Sequence, residues 1–465
     1  MADATNFTSV MVTGKSLNTT GQELRKFFGV TIWMSCLGFK RIRMYWEKET
    51  RVPIISSSFT RQRYFELRGR LKVVKDIEVS PDERKKDRLW KIRPLLSRVL
   101  QGCHRLPREL CLSIDEQMIP FTGKTSLRQY VPRKPNPEGL KNFVLASPAG
   151  LIKDFEIYQG KGTFADQAQK SLGVGGSAVM RLVETVPPGT ELYFDRYFTS
   201  PSLLDELSAR GIAGTGTVMK NRIPKGLKLA SEKELKLAGR GTSEQWTRSD
   251  GKMCVVQWYD NKPIILMSSV HQKDPEDECR RWSSSFKEHI PVKRPAIVSK
   301  YNQSMGGVDM ADRVISYYRI SSRINKWTIR TIFHLVDISL SNSWIQYRGD
   351  NVKMQKRRKE IMQFMEFRMA VARTLIAQGN EEQESDTEDY DNDEWEPKKR
   401  TPVPPEKVRT TAAQHLPRLA SIPHSSRCRN KSCTKKTKFF CMKCKNYYCI
   451  TRERSCFEEA HTKKA

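Results

Sequence analysis

"GTELYFDRYFTSPSLLDELSARG" runs from Gly189 to Gly211 and changes its period partway along. "ELYF" is a short apolar run that reads as a strand, and "DRYF" turns the chain. Ser200-Pro201 then opens a helix, because proline at the first helical position sacrifices no helical hydrogen bond. A strand feeding a helix in this way is the building unit of an α/β layer. Asp195 stands at the junction, where a carboxylate ending an apolar strand costs stability unless something satisfies it.

The neighbouring stretches extend the same layer. "LCLSIDEQMIPF" (Leu110–Phe121) alternates as a strand does. "KNFVLASPAGLIKDFEIYQG" (Lys141–Gly160) reads as two strands around a turn at Ser147–Gly150. "GIAGTGTV" (Gly211–Val218) adds a strand, and "VVQWYDNKPIILMSSVH" (Val255–His271) returns to the pattern. Residues 219–256 between them are polar and glycine-containing and read as an insertion. Helical patterns flank the layer. Thr20 with Glu23 caps one beginning "TGQELRKFFGV", Ser58–Val74 and Arg88–Cys103 give two more, and the chain is helical again after Asp309.

Totals constrain the function class. With 82 Lys+Arg against 52 Asp+Glu the chain of 465 residues carries +30 and spans more than one core. Ten acidic residues crowd into "NEEQESDTEDYDNDEWE" (380–396), so the remainder stands near about +40. Such an excess selects a polyanion partner, most often nucleic acid. The acidic run and "EPKKRTPVPPEKVRTT" read as a disordered linker. The first thirty residues lack a charged and then apolar leader, and "FFGVTIWMSCLGF" (Phe27–Phe39) is too short to span a bilayer. The reading is a soluble protein of the nucleus or cytosol.

Four carboxylates sit where chemistry could use them. Asp115 lies in an apolar strand, Asp195 ends one, and Asp309 and Asp312 follow the Gly-Gly of "YNQSMGGVDMADR" (Tyr301–Arg313) and open a helix. Asp309 and Asp312 could simply complement the helix dipole, and Asp195 could cap its helix. Brought together, carboxylates from separate segments hold hard divalent ions, magnesium or manganese, which serve phosphodiester cleavage.

Six of the eleven cysteines crowd into the tail, as Cys428, Cys433, Cys441, Cys444, Cys449 and Cys456, followed by His461. Seven soft ligands within 34 residues indicate structural zinc, with His424 or His415 as a possible eighth ligand. The tail 428–465 also carries eleven Lys/Arg against three acidic residues, which fits a phosphate-reading surface. Aromatic residues interleave with positive charge in "YYRISSRINKWTIR" (Tyr317–Arg330), "RIRMYW" and "RQRYF". There Arg319, Arg323 and Lys326 are candidate DNA contacts. "EPKKRTP" (Glu396–Pro402) and "KMQKRRKE" (Lys353–Glu360) resemble nuclear import signals.

"RIRMYW", "SIDEQMIPFTGK", "QYVPRKPNPEGLK", "YQGKG", "LYFDRYFTS", "WYDNKPIILMSS" and "YNQSMGGVDMADR" resemble, in order and spacing, the piggyBac transposase family from Thr20 onward. The resemblance implies an α/β fold: an RNase H-like catalytic domain of the DDE/D type (110–218 and 257–316) interrupted by an insertion (219–256). A split helical DNA-binding and dimerisation domain (20–109 and 317–379) flanks it. A flexible lead (1–19), an acidic linker (380–427) and a zinc-binding cross-brace module (428–465) complete the chain. The resemblance also implies a longer acidic lead than this one. It makes Asp115, Asp195 and Asp309 catalytic ligands of Mg2+ or Mn2+, with Asp312 a fourth functional aspartate. The implied activity is cut-and-paste transposition by a nuclear homodimer, at transposon terminal repeats and TTAA targets in double-stranded DNA. The alternative is a domesticated, non-catalytic DNA-binding descendant, and a zinc-tailed RNA-binding or scaffold protein is a more remote third.

Overall fold

The computed structural model describes residues 1–132, 134–321, 324–385, 416–421, 424–430, 432–442 and 446–461, the side chains of 167, 168 and 381–385 apart. Two compact units result, Gly21–Tyr390 and the combined segments Met1–Thr20 and Asp391–Ala465. The lead expected to be flexible carries helix α1 (Ala2–Thr13). Gly14 ends it in the left-handed conformation at φ 74°, which only glycine adopts without strain. Asn6 and Thr19 then exchange two hydrogen bonds of 2.8 Å that fold the following segment back.

The larger unit opens with helices α2 (Gly21–Leu37), α3 (Pro53–Ser58), α4 (Arg61–Arg70), α5 (Pro81–Lys86) and α6 (Arg93–His104). The Thr60 hydroxyl accepts the Arg63 N–H and starts α4 there, later than the expected Ser58. Pro94 in the first turn likewise sets the start of α6 beyond Arg88.

Nine strands then build one sheet: β1 (Cys111–Pro120), β2 (Arg128–Tyr130), β3 (Glu138–Ala146), β4 (Ile152–Ile157), β5 (Glu191–Phe194), β6 (Ala213–Thr217), β7 (Ser243–Thr247), β8 (Cys254–Tyr259) and β9 (Pro263–Ser268). β2 and β4 share one edge of β3, and from its other edge the order runs β1, β5, β6, β9, β8, β7. β1, β5 and β6 are parallel, and all other pairings are antiparallel. Residues 219–256, expected as an insertion, contribute β7 and the first residues of β8 to this same sheet. They also carry the short helix α9 (Glu232–Ala238), which follows α7 (Asp166–Leu182) and α8 (Pro201–Ala209) in the chain.

α7 and α8 cover one face, where Leu112 and Ile114 of β1 join Val179, Leu182, Leu203 and Leu207 in a buried apolar cluster. α7 escaped the sequence reading because its glycines, with Gly173 at φ 69°, obscure the helical period. A charged hairpin, β10 (Asp277–Ser283) with β11 (Glu288–Arg294), precedes helices α10 (Ala296–Ser304), α11 (Gly307–Tyr317), α12 (Trp327–Lys353) and α13 (Phe364–Ser385). α11 lies on the face of β1 and β3 opposite α7. Among the described residues no helix is long and apolar enough to cross a membrane.

Helices from both ends of this unit pack together. α13 runs along α2, where Gly29 lies so close that a Cβ would stand 2.8 Å from the Ala372 carbonyl oxygen. A buried ion pair locks them: Arg368 Nη2 donates to Asp337 Oδ1 of α12 at 2.9 Å and to Ser35 Oγ of α2 at 2.8 Å. Asp337 Oδ2 accepts the Ile320 N–H at 3.0 Å, so one carboxylate ties α12, α13 and the segment after α11. Removing one partner strands a charge in a dry interior, whereas removing both does not. Asp337→Ala should therefore cost about 3–5 kcal/mol in urea denaturation. The double variant Asp337→Leu/Arg368→Met should recover most of that loss; equal losses in both would show that the pair is not what locks the helices.

Candidate functional site

The register of two parallel strands builds the site. Ser113 pairs with Tyr193 and Ile114 with Phe194, so Asp115 and Asp195 follow side by side at the ends of the paired stretch. Open α/β sheets bind ligands beyond the carboxyl ends of their parallel strands. Asp195 is held in place because its Oδ1 accepts the Tyr197 N–H at 2.8 Å. Its carbonyl accepts from the Phe198 and Thr199 amides, which turns the chain toward α8. The cap of α8 itself is Ser200, whose hydroxyl accepts the Leu203 N–H, so Asp195 shapes the turn and leaves capping to Ser200.

Asp115, Glu116 and Asp195 each offer an oxygen within 4.8 Å of the others. Burial, partly countered by Lys134, pushes the Asp115 carboxyl up to about 8. Burial raises Asp195 too, against the Tyr197 N–H that lowers it. Glu116 Oε2 is buried with no hydrogen-bond partner. An orphaned carboxylate oxygen facing two further carboxylates is costly as it stands and suits a hard divalent cation. These residues fit Mg2+ or Mn2+.

Glu116 was absent from the sequence reading, since alternation along a strand sends Asp115 and Glu116 to opposite faces. Lys134 was missed as well, although it lies in the quoted "QYVPRKPNPEGLK". Its ammonium donates to the Glu116 carbonyl at 3.0 Å and stands 3.8 Å from Glu116 Oε1. Burial opposes its charge, but Asp115, Glu116, Asp309 and Asp312 together raise it.

α11 brings the last two aspartates. Gly307 makes this possible: a Cβ there would lie 2.5 Å from Ser113 Oγ and 2.4 Å from the Ser147 carbonyl oxygen, so only glycine lets α11 start against β1. Gly150, at φ +88°, seats the next turn against Met310 and Ala311. Asp309 projects from this first turn exposed, near enough to Lys134 and Tyr301 for its charge to be felt at both, but outside the close group of three. Asp312 is fixed by Gln117 Nε2, which donates to its Oδ1 at 2.7 Å. Gln117 Oε1 faces His334 Nε2 of α12 at 2.8 Å and accepts from Asn142 at 3.2 Å. With the amide nitrogen committed to Asp312, the histidine must donate through Nε2. Burial, with Arg319 and Arg330 nearby, holds His334 well below its ordinary range and so neutral. Burial raises Asp312, and the Gln117 bond and Arg319 partly offset that.

Of the expected DNA contacts, Arg319 lines a cavity beside Phe39 and Phe65. Lys326 already donates to the Gly69 carbonyl at 2.6 Å, beside Lys72 and Arg70. Arg323 lies outside the described residues.

In the tail unit, Cys428, Cys433, Cys449 and Cys456 are buried with their sulfurs within 4.8 Å of one another. Cys433 and Cys449 sulfurs are 3.6 Å apart, far beyond a disulfide and close to the edge of a zinc-centred thiolate tetrahedron, about 3.8 Å. The Lys435 backbone N–H, with neighbouring thiols, brings Cys433 down to about 7. These four could hold zinc. Cys441 is buried but outside this group, His424 is exposed, and His461 Nδ1 meets the Phe457 carbonyl at 2.7 Å. Cys444, His415 and "EPKKRTP" lie outside the described residues. Among the described residues the expected set of seven therefore yields one group of four that encloses Cys441 in sequence.

A family model described as "Transposase IS4" matches residues 1–344. PiggyBac transposable element-derived protein 3 of Homo sapiens is 33% identical over 366 residues, covering 77% of this chain and 59% of that protein. PiggyBac transposable element-derived protein 2 of Homo sapiens is 28% identical over 342 residues, covering 72% and 56%. The chain thus spans less than three fifths of the length of either relative. In fold it is similar to the piggyBac transposase synaptic complex with hairpin DNA solved by cryo-electron microscopy, at a TM-score of 0.67 and 22% identity. That match covers 97% of this chain and 92% of the other.

The raised Asp115 carboxyl gives the site a pH signature. Folded, it holds its proton up to about 8, while the unfolded value is about 3.9. Its contribution therefore favours folding in acid and is lost as pH rises from about 4 to about 8. Metal-free protein should lose Tm across that window more steeply than Asp115→Asn. Mg2+ competes with the proton, so it should raise Tm more at about pH 8.5 than at about pH 6, and not at all in the variant. Differential scanning fluorimetry reads both; a magnesium response independent of pH would contradict the assignment.

Proposed function

The chain belongs to the piggyBac transposase family, and from that premise we propose that it cuts and rejoins DNA strands at a carboxylate site formed by Asp115, Asp195 and Asp309. The observation that carries the reading is the meeting of Asp115, midway along β1, with Asp195, just past the end of β5, where the parallel pairing of the two strands stops, under the first turn of α11. The strand order β4-β3-β1-β5-β6, three antiparallel strands and then two parallel ones, supports an RNase H-like core.

Asp115, Asp195 and Asp309, with Glu116 beside them, would hold Mg2+ or Mn2+. When bound, such ions lower the pKa of an attacking hydroxyl and stabilise the leaving oxygen of a phosphodiester. Asp312 keeps its orientation through Gln117 and the neutral His334. Lys134 keeps a positive charge beside the carboxylates, where a scissile phosphate would need one. The partner is double-stranded DNA, transposon terminal repeats with a TTAA target, drawn by the net charge of +30. Cys428, Cys433, Cys449 and Cys456 would hold one zinc. Cys441, Cys444 and His461 would supply a second, cross-braced site, since a carbonyl bond at one ring nitrogen is how metal-bound histidines are oriented. Action as a homodimer in the nucleus completes the proposal, and the basic segment Lys353–Glu360, at the end of α12, is exposed as import would require.

A second reading, DNA binding without cleavage, draws on Asp309 standing outside the close group of three. One assay separates the two. Purified protein with Mg2+ and the DNA flanking its own genomic copy should yield nicks and hairpins. Asp115→Asn, Asp195→Asn and Asp309→Asn should each abolish them, with DNA affinity within about twofold, since carboxylates carry none of the phosphate attraction. Tight binding with no cleavage by the unaltered protein would favour the second reading.

A further inference from the structure

Three basic, aromatic stretches far apart in sequence converge on one cavity. "RIRMYW", the helix that begins "RQRYF", and the segment after α11 together enclose about 850 Å³. That lies within the range of small-molecule sites, about 300–1,000 Å³. The cavity is lined by the cations Lys40, Arg41, Arg43, Arg68 and Arg319, with Glu47 the single acidic residue. No carboxylate among the described residues pairs with any of those five. The contrast on α4 is direct, because Arg63 is clamped by Glu23 through two bonds of 2.7 Å while Arg68 is left without an acid. Like charges gathered around a concavity repel one another and raise the local concentration of anions.

The walls are aromatic and pre-formed. Phe39 and Tyr45 stack at 4.6 Å with their planes 13° apart. The Tyr45 hydroxyl donates to the Met34 carbonyl at 2.7 Å and accepts the Phe39 N–H at 3.1 Å, so neither ring is free to collapse inward. Gly38, at φ +66°, makes the turn that brings Phe39 back against the end of α2. Opposite them the Arg68 guanidinium lies 4.6 Å from the centre of the Phe65 ring. Rings and guanidinium planes interleaved with phosphate-binding cations form a platform for unstacked bases. Bases inside a duplex are covered on both faces by their neighbours, so such a concave wall selects a base outside the stack. Arg319 also links the cavity to the carboxylate site, since its charge reaches Asp312.

We propose that this cavity binds one unstacked nucleotide of a DNA strand, its base on the partly exposed rings of Phe39, backed by the buried Tyr45, and Phe65, and its phosphates on Arg41, Arg43 and Arg319. The assignment rests on the DNA reading above and adds to it a site for single-stranded character close to the cut.

Fluorescence of 2-aminopurine tests it on the 465-residue chain, zinc-loaded and without added Mg2+. One probe is a blunt duplex, and the other is the same duplex with a four-nucleotide single-stranded 5′ extension containing 2-aminopurine. The extension should tighten binding about tenfold, as stacking of one base does, and quench the fluorophore. Arg41→Gln/Arg43→Gln, both at exposed positions, and separately Phe65→Leu should remove the advantage and the quenching while blunt-duplex affinity stays within about twofold. If the blunt duplex binds and the extension adds nothing, the cavity assignment fails and the DNA reading stands. Equal weakening of both probes by the arginine variant, without quenching, would make those side chains ordinary duplex phosphate contacts and overturn the cavity. Failure of the protein to bind either DNA would remove both proposals.

Discussion

Two carboxylates held side by side where the parallel pairing of two strands stops repel each other, and much of the larger unit is arranged around that repulsion. The register of β1 on β5 leaves Asp115 and Asp195 no way to separate, and Glu116 adds a third oxygen within 4.8 Å. In water such a cluster would relax apart; in a half-buried cleft it takes up protons or cations instead. The protein supplies one cation itself, Lys134, anchored to the Glu116 carbonyl. The rest of the demand is what a divalent ion would meet, and competition with the Asp115 proton would make that affinity pH-dependent.

The same cleft is tied to the helical part of the unit by polar side chains. Asp312, Gln117 and His334 form a continuous chain from α11 through β1 to α12, with Asn142 joining from β3. One helical turn beyond His334, Asp337 binds Arg368 of α13, which also reaches Ser35 of α2. The carboxylate site and the helix α2 that lines the basic cavity are therefore held by two sets of buried hydrogen bonds that share α12. Such networks are worth most when complete, since each unpaired member pays for burial alone.

Much of this arrangement can be read from the residues. Period-two alternation marks β1, β3 and β4, and the strand–proline–helix signal marks β5 and α8, because those elements each have one buried face and ordinary caps. The aspartates at the strand end and behind Gly306-Gly307 stand out because apolar surroundings leave a carboxylate without local explanation. Other parts depend on contacts that sequence does not encode locally. Gln117 and His334 meet across 217 residues, and Glu116 violates the alternation that would place it away from Asp115. α7 hides behind its glycines, and β10–β11 behind charged side chains that face solvent on a two-stranded hairpin. The tail shows the same division: cysteine spacing signals metal, but only the folded chain selects Cys428, Cys433, Cys449 and Cys456 as one group and sets Cys441 outside it.

On the reading proposed above, Asp115, Asp195 and Asp309 together constitute a divalent-cation site. Titration of the zinc-loaded protein with Mn2+, followed by the electron paramagnetic resonance signal of the free ion, tests it most directly. The account predicts saturable uptake that Mg2+ displaces, abolished in Asp115→Asn and Asp195→Asn and reduced in Asp309→Asn. Undiminished uptake in all three variants, or no specific uptake by the unaltered protein at neutral pH, would contradict it.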